Sequence, residues 1–291
     1  PERAERFDEP AGEKLRWSAQ HEGIQISMPF DLSEQQQYDF FIDLLLGNPR
    51  VFIRIRKNKA GIAKALQQAA LPYREEHAAC ISFEPNVKLD DVLTPSDYVV
   101  QDISSQKVGE VFQAKKNQAW WDCCAASGGK SILLLDKEPG VKLTVSDIRP
   151  AILHNLKMRL HLYHPKQIYR SLCADLMKHN EQISAGEFDA IICDAPCSGS
   201  GTWARTPEQF YFFTEEKLQE FQDRQKCIAE HALEKLKSGG TFYYITCSVF
   251  RMENEDLVDY LQTLGCEILK QQLVDSRALG GDCLFVAELR K

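Results

Sequence analysis

Two cysteines of this 291-residue chain each follow a run of residues with the pattern of a buried β-strand. Cys197 lies in the string D-A-P-C-S-G-S-G that begins at Asp194, and Cys247 lies in the string T-C-S that begins at Thr246. A single cysteine in such a place is more often an inert core residue than a nucleophile. Two cysteines at neighbouring strand ends, one of them beside an acid, favour covalent or acid–base chemistry. Zinc would need further ligands, and a disulfide is unusual in a reduced compartment.

A glycine-containing loop follows the strand predicted at residues 119–124, the first strand of the part of the chain that contains both cysteines. Two consecutive glycines let the backbone approach a ligand, and the helix that they begin offers free N–H groups. The spacing matches neither a dinucleotide-binding fingerprint nor a P-loop, so an ordinary turn between strand and helix remains the alternative. The loop consists of Cys124, Ala125, Ala126, Ser127, Gly128, Gly129 and Lys130.

Acids also follow the next two predicted strands. Asp147 lies at the end of the second strand, where the ribose of a cofactor would be bound, and the alternative is a helix cap. Asp175 follows the third strand, where it would either receive an adenine amino group or cap a turn. In sheets of this kind, ligands bind at the carboxyl ends of the strands.

The secondary-structure elements that position these residues follow one sequence pattern before residue 106 and another after it. Residues 1–30 are polar, and we interpret them as a lead-in segment. Residues 31–105 combine a capping box at Ser33 and Gln36 with short strands and helices, which predicts a small α+β domain. Its strands are predicted at 51–56, 80–83 and 98–100, and its second helix at 60–70.

Beyond residue 106 strands and helices alternate, which predicts an α/β domain over 106–291 with a mainly parallel sheet and helices on both faces. Helices are predicted around 131–135 and over 150–162, 215–237 and 253–264, the third closed by Ser238, Gly239 and Gly240. The strands are predicted at 119–124, 142–145, 167–173, 188–193, 241–246 and 284–289.

Composition limits the possible classes of protein. Hydrophobic residues make up 44% and charged residues 26% of the chain, as in ordinary globular proteins. No run of about 18 apolar residues occurs, so we expect no membrane partner. The ten cysteines include no C-x-x-C pair, so we expect no metal, and without a visible secretory signal a reduced, cytoplasmic protein fits best.

The net charge of −7 argues against a surface generally suited to phosphates, but one local run is basic. This basic run contains no acid, and by itself it fits a solvated strand edge as well as a contact with nucleic acid. Its cations are Arg50, Arg54, Arg56, Lys57, Lys59 and Lys64.

Several of these strings, in this order and spacing, resemble the S-adenosylmethionine-dependent RNA cytosine-C5 methyltransferases of the Sun type. The string D-C-C-A-A-S-G-G-K from Asp122 resembles the first cofactor motif of that family. The strings from Asp194 and Thr246 resemble its two cysteine motifs, which together are highly specific. Residues 98–106, 205–208, 253–255 and 281–285 add weaker similarity, and the resemblance runs from about residue 30 to the C-terminus.

The resemblance implies a Rossmann-like class I methyltransferase sheet behind a small RRM-like, RNA-binding domain. It implies that Cys247 is the nucleophile that adds to C6 of cytosine, and that Cys197 helps to remove the C5 proton and release the enzyme. Asp194 would bind the base edge, and Lys130 would lie near the base. S-adenosylmethionine would be bound by the loop from Cys124 to Gly129 and by Lys130, Asp147, Asp175 and Asp194.

The same resemblance favours RNA contact for the basic run. Small-subunit ribosomal RNA is the first expected substrate and transfer RNA the second, and we expect a monomer. The predicted RNA-binding residues are Arg50, Arg54, Arg56, Lys57, Lys59 and Arg205.

This sequence departs from the family pattern at a few positions. Ser127 stands where the family usually has proline, which motivates the alternative of an inactive RNA-binding factor for ribosome assembly. Arg149, Arg56 and Cys283 are further departures, and none of them removes a predicted catalytic residue. In DNA cytosine methyltransferases the cysteine of the Pro-Cys motif is the nucleophile, and the T-C-S motif around Cys247 favours RNA instead.

Overall fold

The computed structural model describes residues 44–179 and 181–291. The lead-in segment and the capping box at Ser33 lie outside the described residues. Residues 44–46 are helical and the helix ends before Gly47, where the sequence predicts its end. Within the described ranges, every helix is too short or too polar to span a bilayer.

The first of two sheets is small and antiparallel. Its elements are β1 (Val51–Ile55), α1 (Lys59–Gln68), β2 (Arg74–His77), β3 (Cys80–Phe83) and β4 (Tyr98–Val100). The strands lie in the order β2-β3-β1-β4. Ile62 and Leu66 of α1 share a core with Ile53, Ile81 and Phe83. The sequence does not predict β2, because this edge strand has a polar sequence and buries no residue fully.

The second sheet has seven strands. They are β5 (Ala119–Asp122), β6 (Lys142–Asp147), β7 (Tyr169–Cys173), β8 (Phe188–Asp194), β9 (Leu236–Thr246), β10 (Glu267–Asp275) and β11 (Cys283–Arg290). Their order is β10-β11-β9-β8-β5-β6-β7. The five strands from β9 to β7 are parallel, and β11 runs antiparallel to both β9 and β10. The prediction of a mainly parallel sheet is therefore confirmed.

Helices cover both faces of the large sheet. They are α2 (Ile103–Val108), α3 (Gly129–Lys137), α4 (Pro150–Tyr163), α5 (Glu208–Tyr211), α6 (Glu215–Lys235) and α7 (Glu255–Thr263). Leu134 of α3 and Leu156 of α4 share a core with Trp120, whereas Leu233 of α6 belongs to a second core with Trp121. Successive strand residues point to opposite faces, so the two tryptophans of β5 serve one core each.

The structure corrects two predicted helix boundaries. Helix α6 ends at Lys235, and β9 already begins at Leu236, so Gly239 and Gly240 belong to a strand instead of closing the helix. A three-residue turn precedes α7, which therefore begins at Glu255. Helix α2 spans the domain boundary that the sequence predicts near residue 105.

A buried ionic network joins the two sheets. Asp136 of α3 lies 2.7 Å from Nη2 of Arg54, and its Oδ1 accepts a hydrogen bond from Nε of Arg56 at 2.9 Å. The Nε2 atom of His164 lies 3.0 Å from the same carboxylate. Burial alone would raise the pKa of Asp136. His164 and the two arginines lower it by a larger amount, so the pKa lies below its ordinary 3.8.

Three of the predicted RNA-binding residues are arginines whose side chains are largely buried. The side chains of Arg50, Arg54 and Arg56 are only 9–12% exposed. Arg50 also points inward, and its Nε donates to Oγ of Ser82 at 3.0 Å. The three arginines therefore stabilise the small sheet and its junction with the large one, because their guanidinium groups are already paired inside the protein.

Candidate active site

Neighbouring parallel strands bring the two cysteines to one edge of the large sheet. Strand β8 ends at Asp194, whose partner in β9 is Ile245, and β9 ends one residue later at Thr246. Cys197 and Cys247 follow these strand ends, and their Sγ atoms lie 3.3 Å apart. A hydrogen bond between the thiols is therefore possible, and both can reach a single bound group.

A buried carboxylate fixes the two cysteine loops relative to each other. Glu253 accepts hydrogen bonds from the backbone N–H of Ser198 at 2.8 Å and from its hydroxyl at 2.6 Å. The hydroxyl of Ser248 and Nε2 of Gln225 donate to the same carboxylate. Because the two serines directly follow the two cysteines, Glu253 determines the separation of the thiols. Burial raises the pKa of Glu253, and the hydrogen bonds oppose that shift.

Gly201 brings the first cysteine loop against β9 and β11. Its N–H donates to the carbonyl oxygen of Cys247 at 2.9 Å. A Cβ atom on Gly201 would lie 2.0 Å from the carbonyl oxygen of Cys283 in β11. Only glycine, which has no Cβ atom, allows this approach, so the loop can occupy this position only with glycine at residue 201.

A buried cation lies beside the thiols. Nζ of Lys130, in the first turn of α3, is 2.8 Å from Oδ2 of Asp194. Burial alone would lower the pKa of this amine. The charge of Asp194 and its hydrogen bond with the amine outweigh burial and raise the pKa, so Lys130 remains charged.

Contact with Cys247 changes the protonation of Cys197. The hydrogen bond with Cys247 raises the pKa of Cys197 well above its ordinary value, and burial adds to the shift. Cys197 therefore keeps its proton at neutral pH and can donate it to Sγ of Cys247.

A cavity of about 680 Å³ opens beside the thiols and lies within the size range of ligand pockets. Cys197 and Cys247 form part of its wall, together with apolar side chains such as Ile148 and Leu176. The predicted cofactor-binding residues that line it are Cys124, Ala126, Asp147, Asp175 and Asp194. Ala125, Ser127, Gly128 and Gly129 belong to the same loop without being part of this wall, and Lys130 contacts the wall through Asp194.

The loop after β5 has an unusual backbone conformation that its hydrogen bonds maintain. Ala126 has a φ of 44°, and its N–H donates to Oδ2 of Asp147 at 3.1 Å. Gly128 caps α3 with a φ of 84°. Nη1 of Arg159 donates to the carbonyl oxygen and hydroxyl of Ser127 at 2.7 and 2.9 Å. The serine that departs from the family pattern is therefore held in place from α4.

Asp147 is shared between the loop and Arg149. Its Oδ1 accepts hydrogen bonds from both the backbone N–H and Nε of Arg149 at 2.9 Å. Burial raises the pKa of Asp147, but the contacts with Arg149 lower it by more, so the carboxylate is charged at the cavity wall. The sequence singles out Asp147, whereas the role of Arg149 is visible only in the structure.

Three further thiols meet at the ends of β5 and β8. The Sγ atoms of Cys123, Cys124 and Cys193 lie within 4.8 Å of one another, so this set could hold a metal ion. The N–H of Cys123 donates to the carbonyl oxygen of Ile192 at 2.9 Å, which explains the alignment. Hydrogen bonds from Cys123 and Cys124 lower the pKa of Cys193. The expectation of no metal rested on the lack of a C-x-x-C pair and of further ligands near Cys197 and Cys247, and neither argument detects thiols that a sheet brings together.

The remaining predicted RNA contacts lie in different environments. Arg205 forms ion pairs with Asp102 and Asp282 at 2.8 and 2.7 Å, so its guanidinium links the loop after β8 to two other segments. Lys57 and Lys59 have side chains that are 59% and 47% exposed. Of the six residues, these two lysines are the most accessible to a phosphate.

Comparison with solved structures shows the class of fold. The crystal structure of PH0851 superposes with a TM-score of 0.83 at 22% identity, covering 97% of this chain and 69% of that one. The structure of NSun6 from Pyrococcus horikoshii with SFG gives a TM-score of 0.77 at 15% identity, covering 97% and 98%. At these identities the likeness establishes the fold, a Rossmann-like α/β sheet with an additional small sheet.

Sequence comparison then gives the family. A model of the family described as 16S rRNA methyltransferase RsmB/F matches residues 110–277, and the chain belongs to this family. Ribosomal RNA small subunit methyltransferase B of Shewanella oneidensis is 32% identical over 159 residues, 55% of this chain and 37% of the relative. The same enzyme of Proteus mirabilis is 30% identical over 197 residues, 66% and 46% of the two chains. The chain spans less than half the length of these curated relatives.

Proposed function

We propose that this chain transfers a methyl group from S-adenosylmethionine to C5 of a cytosine in RNA, through a covalent bond between Cys247 and C6 of the base. The observation that carries the proposal is the 3.3 Å separation of Cys197 and Cys247 at the wall of a cavity that is large enough for a cofactor. Covalent catalysis suits this reaction, because C5 of cytosine is a poor nucleophile until a thiolate has added to C6.

The two cysteines take different parts in the proposed reaction. The thiolate of Cys247 adds to C6 of cytosine and makes C5 nucleophilic. Bound S-adenosylmethionine would supply the methyl group to C5, and the electrons of its broken sulfur–methyl bond would stay on the departing sulfur. Cys197 then loses its proton to solvent water, its thiolate takes the C5 proton, and the electrons of the C5–H bond reform the double bond. The bond between Sγ of Cys247 and C6 breaks in that step, which releases the product.

The pair formed by Lys130 and Asp194 supports the proposed adduct. Asp194 lines the cavity and is 31% exposed, so a base that enters can reach the carboxylate. Its predicted role is a hydrogen bond with the base edge at N3 and N4. Lys130 is buried behind it and positively charged, so it stabilises negative charge on Cys247 and on the base.

The lining of the cavity fits S-adenosylmethionine. Bound there, this cofactor would supply an electrophilic methyl group on a positively charged sulfur. Asp147 and Asp175 offer carboxylates to ribose hydroxyls and to amino groups. Ile148 and Leu176 offer apolar surface to an adenine ring. The acidic wall also favours a cationic ligand over a phosphorylated one.

Small-subunit ribosomal RNA is the proposed substrate class. The relatives are named ribosomal RNA small subunit methyltransferases, and the two cysteine motifs have the arrangement that the resemblance associates with RNA. This chain spans less than half the length of those relatives, so we propose their substrate class for it as a hypothesis to be tested.

The test is a trap for the covalent intermediate. Cys197→Ala removes the proposed proton acceptor, so the adduct forms but is not released. We expect RNA that remains attached to this variant after denaturation, and sequencing of the attached RNA to identify the target. The double variant Cys197→Ala/Cys247→Ala should carry none. Cys247→Ala alone should lower methyl transfer by at least about 10⁴-fold.

Three results would contradict the proposal. Attached RNA that persists in the double variant would exclude Cys247 as the nucleophile. An adduct in Cys247→Ala but not in Cys197→Ala would reverse the roles of the two cysteines. A folded wild-type chain that does not bind S-adenosylmethionine by calorimetry would favour the inactive RNA-binding factor.

A further inference from the structure

A second, smaller concavity shares one wall with the active-site cavity. This α6 groove has a volume of about 290 Å³ and lies between α6 and the turn around Phe212. Cys197 and Arg224 line both the α6 groove and the larger cavity. The α6 groove therefore adjoins the active-site cavity at Cys197.

The α6 groove combines aromatic rings with cations. Lys217, Phe221 and Arg224 share one face of α6, because they are separated by four and three residues. The guanidinium of Arg224 lies 5.7 Å from the centre of the Phe221 ring. Phe212 forms the opposite side and is 57% exposed. Nζ of Lys217 donates to the carbonyl oxygen of Phe212 at 2.8 Å, so this lysine also holds the opposite side in place.

We propose that the α6 groove binds the nucleotide adjacent to the target cytosine on the same RNA strand. Its base stacks on the ring of Phe221, and Arg224 contacts the phosphate between the two nucleotides. The inference rests on the proposed RNA substrate. Aromatic rings beside cations are the means by which proteins bind single-stranded nucleic acids with little regard to sequence.

The shared wall is the reason for choosing this occupant. A cytosine that reaches Cys247 must leave its stack, and its neighbour then loses a stacking partner. The neighbour is covalently tied to the target, so it must lie close to Cys197, where the α6 groove begins. An aromatic surface at that point restores the lost stacking. Glu220 also lines the α6 groove and offers its carboxylate to an amino group of the stacked base.

The experiment measures binding, not turnover. The first probe is fluorescein-labelled pentacytidine RNA, and the second is the same RNA with abasic sites on both sides of the central cytosine. Fluorescence anisotropy gives the Kd of each probe for the full chain and its variants. We expect Phe221→Ala to weaken pentacytidine binding by about 5- to 150-fold, the range for one stacked base, and to leave the abasic probe nearly unaffected.

Arg224 is tested by the dependence of Kd on salt. Arg224→Gln removes one phosphate contact and should reduce the slope of log Kd against log salt by about 0.7. Phe221→Ala should leave this slope unchanged. Arg290→Gln is the matched control, because Arg290 is exposed near the far end of β11 from the thiols and should change neither quantity.

The outcomes separate this inference from the proposed function. Equal losses on both probes, wild-type affinity in Phe221→Ala, or no binding of pentacytidine to the wild type would each overturn the groove assignment. If Phe221→Ala unfolds, Phe221→Leu keeps the packing, removes the ring and should show the same base-dependent loss. A chain that binds as expected but transfers no methyl group would support the α6 groove and contradict the proposed function.

Discussion

The junction of the two sheets and the strand ends of the large sheet both contain a buried pair of a cation and a carboxylate. At the junction, Asp136 meets Arg54 and Arg56, and all three side chains are at most 16% exposed. At the strand ends, Lys130 meets Asp194, and this carboxylate is 31% exposed at the wall of a cavity. The residue types are alike and both pairs line a cavity, but Asp136 already contacts two arginines and His164, whereas the more exposed Asp194 pairs with Lys130 alone.

The comparison also concerns the basic residues. The basic run from Arg50 to Lys64 is conspicuous in the sequence. Its three arginines, however, already form ion pairs within the protein. Lys217 and Arg224 have acidic neighbours along α6, so they do not form a basic cluster in the sequence. In the structure they line a groove beside Cys197. If the α6 groove binds RNA as proposed, position relative to the two cysteines is a better guide to the RNA surface than local charge density.

The largest expected effect is at the strand ends, on Glu253. Glu253→Gln replaces an acceptor of four hydrogen bonds by an amide that can accept only at one atom, so the two cysteine loops separate. Misplacement of reacting groups by about 1 Å costs about 10²-fold in rate, and we expect methyl transfer to fall by at least that much. Single-turnover transfer measures the rate, and calorimetry measures cofactor affinity, which should not change.

The control for Glu253 is Glu234→Gln, since Glu234 is an exposed carboxylate of α6. It should transfer methyl groups at the wild-type rate. A loss of cofactor affinity that matches the loss of rate in Glu253→Gln would show that the carboxylate supports the whole domain instead of the thiol pair.

The junction should respond in stability instead of rate. Asp136→Asn leaves Arg54 and Arg56 buried without their countercharge, which should lower the free energy of unfolding by about 3 kcal/mol. Urea denaturation measures this, with Glu84→Gln as the control, because Glu84 is 68% exposed and its pair with Arg50 should contribute at most about 1 kcal/mol. Methyl transfer by folded Asp136→Asn should stay close to the wild-type rate. A large loss of rate would contradict the purely structural role of the junction.

The pH dependence of the same variant sharpens the test. The pKa of Asp136 is lower in the folded protein than its ordinary 3.8, so its charge stabilises the fold above about pH 4. That contribution is lost as the pH falls through the lowered pKa. The difference in unfolding free energy between wild type and Asp136→Asn should therefore shrink as the pH falls below about 4.

The smallest effect is expected at Lys57 and Lys59, which the structure leaves exposed in the predicted RNA patch. If they contact phosphates, Lys57→Gln and Lys59→Gln should each reduce the salt slope of RNA binding by about 0.7 on single strands. Arg50→Gln should instead lower stability without changing that slope. Unchanged slopes for both lysines would remove the small sheet from the RNA surface.

The sequence predicts the parallel part of the large sheet well, because its strands are apolar and alternate with helices. It does not predict β10, whose residues are mostly exposed or half-buried at the edge of the sheet, or β2 for the same reason. Edge strands bury too little surface to leave a hydrophobic pattern. The end of α6 is also missed, since Gly239 and Gly240 resemble a helix stop but lie in a strand.

For the site, the strand-end rule predicts that Cys197, Cys247 and Asp194 lie together, and the structure brings them together. The pairing of Asp136 with arginines of β1 could not be predicted, because nothing in one sequence shows which acid meets which cation. Glu253 belongs to a motif that the resemblance recognises, but its contact with both cysteine loops depends on tertiary packing.

Gly201 limits how the active-site edge can change over evolution. The loop that carries Cys197 has no spare volume where it crosses Cys283, since even a methyl group on Gly201 would overlap a main-chain carbonyl. No rotamer change relieves such an overlap, because the obstacle is backbone and not a flexible side chain. Any other residue at position 201 therefore requires the backbone of this loop or of β11 to move, and such a movement would shift Cys197 relative to Cys247.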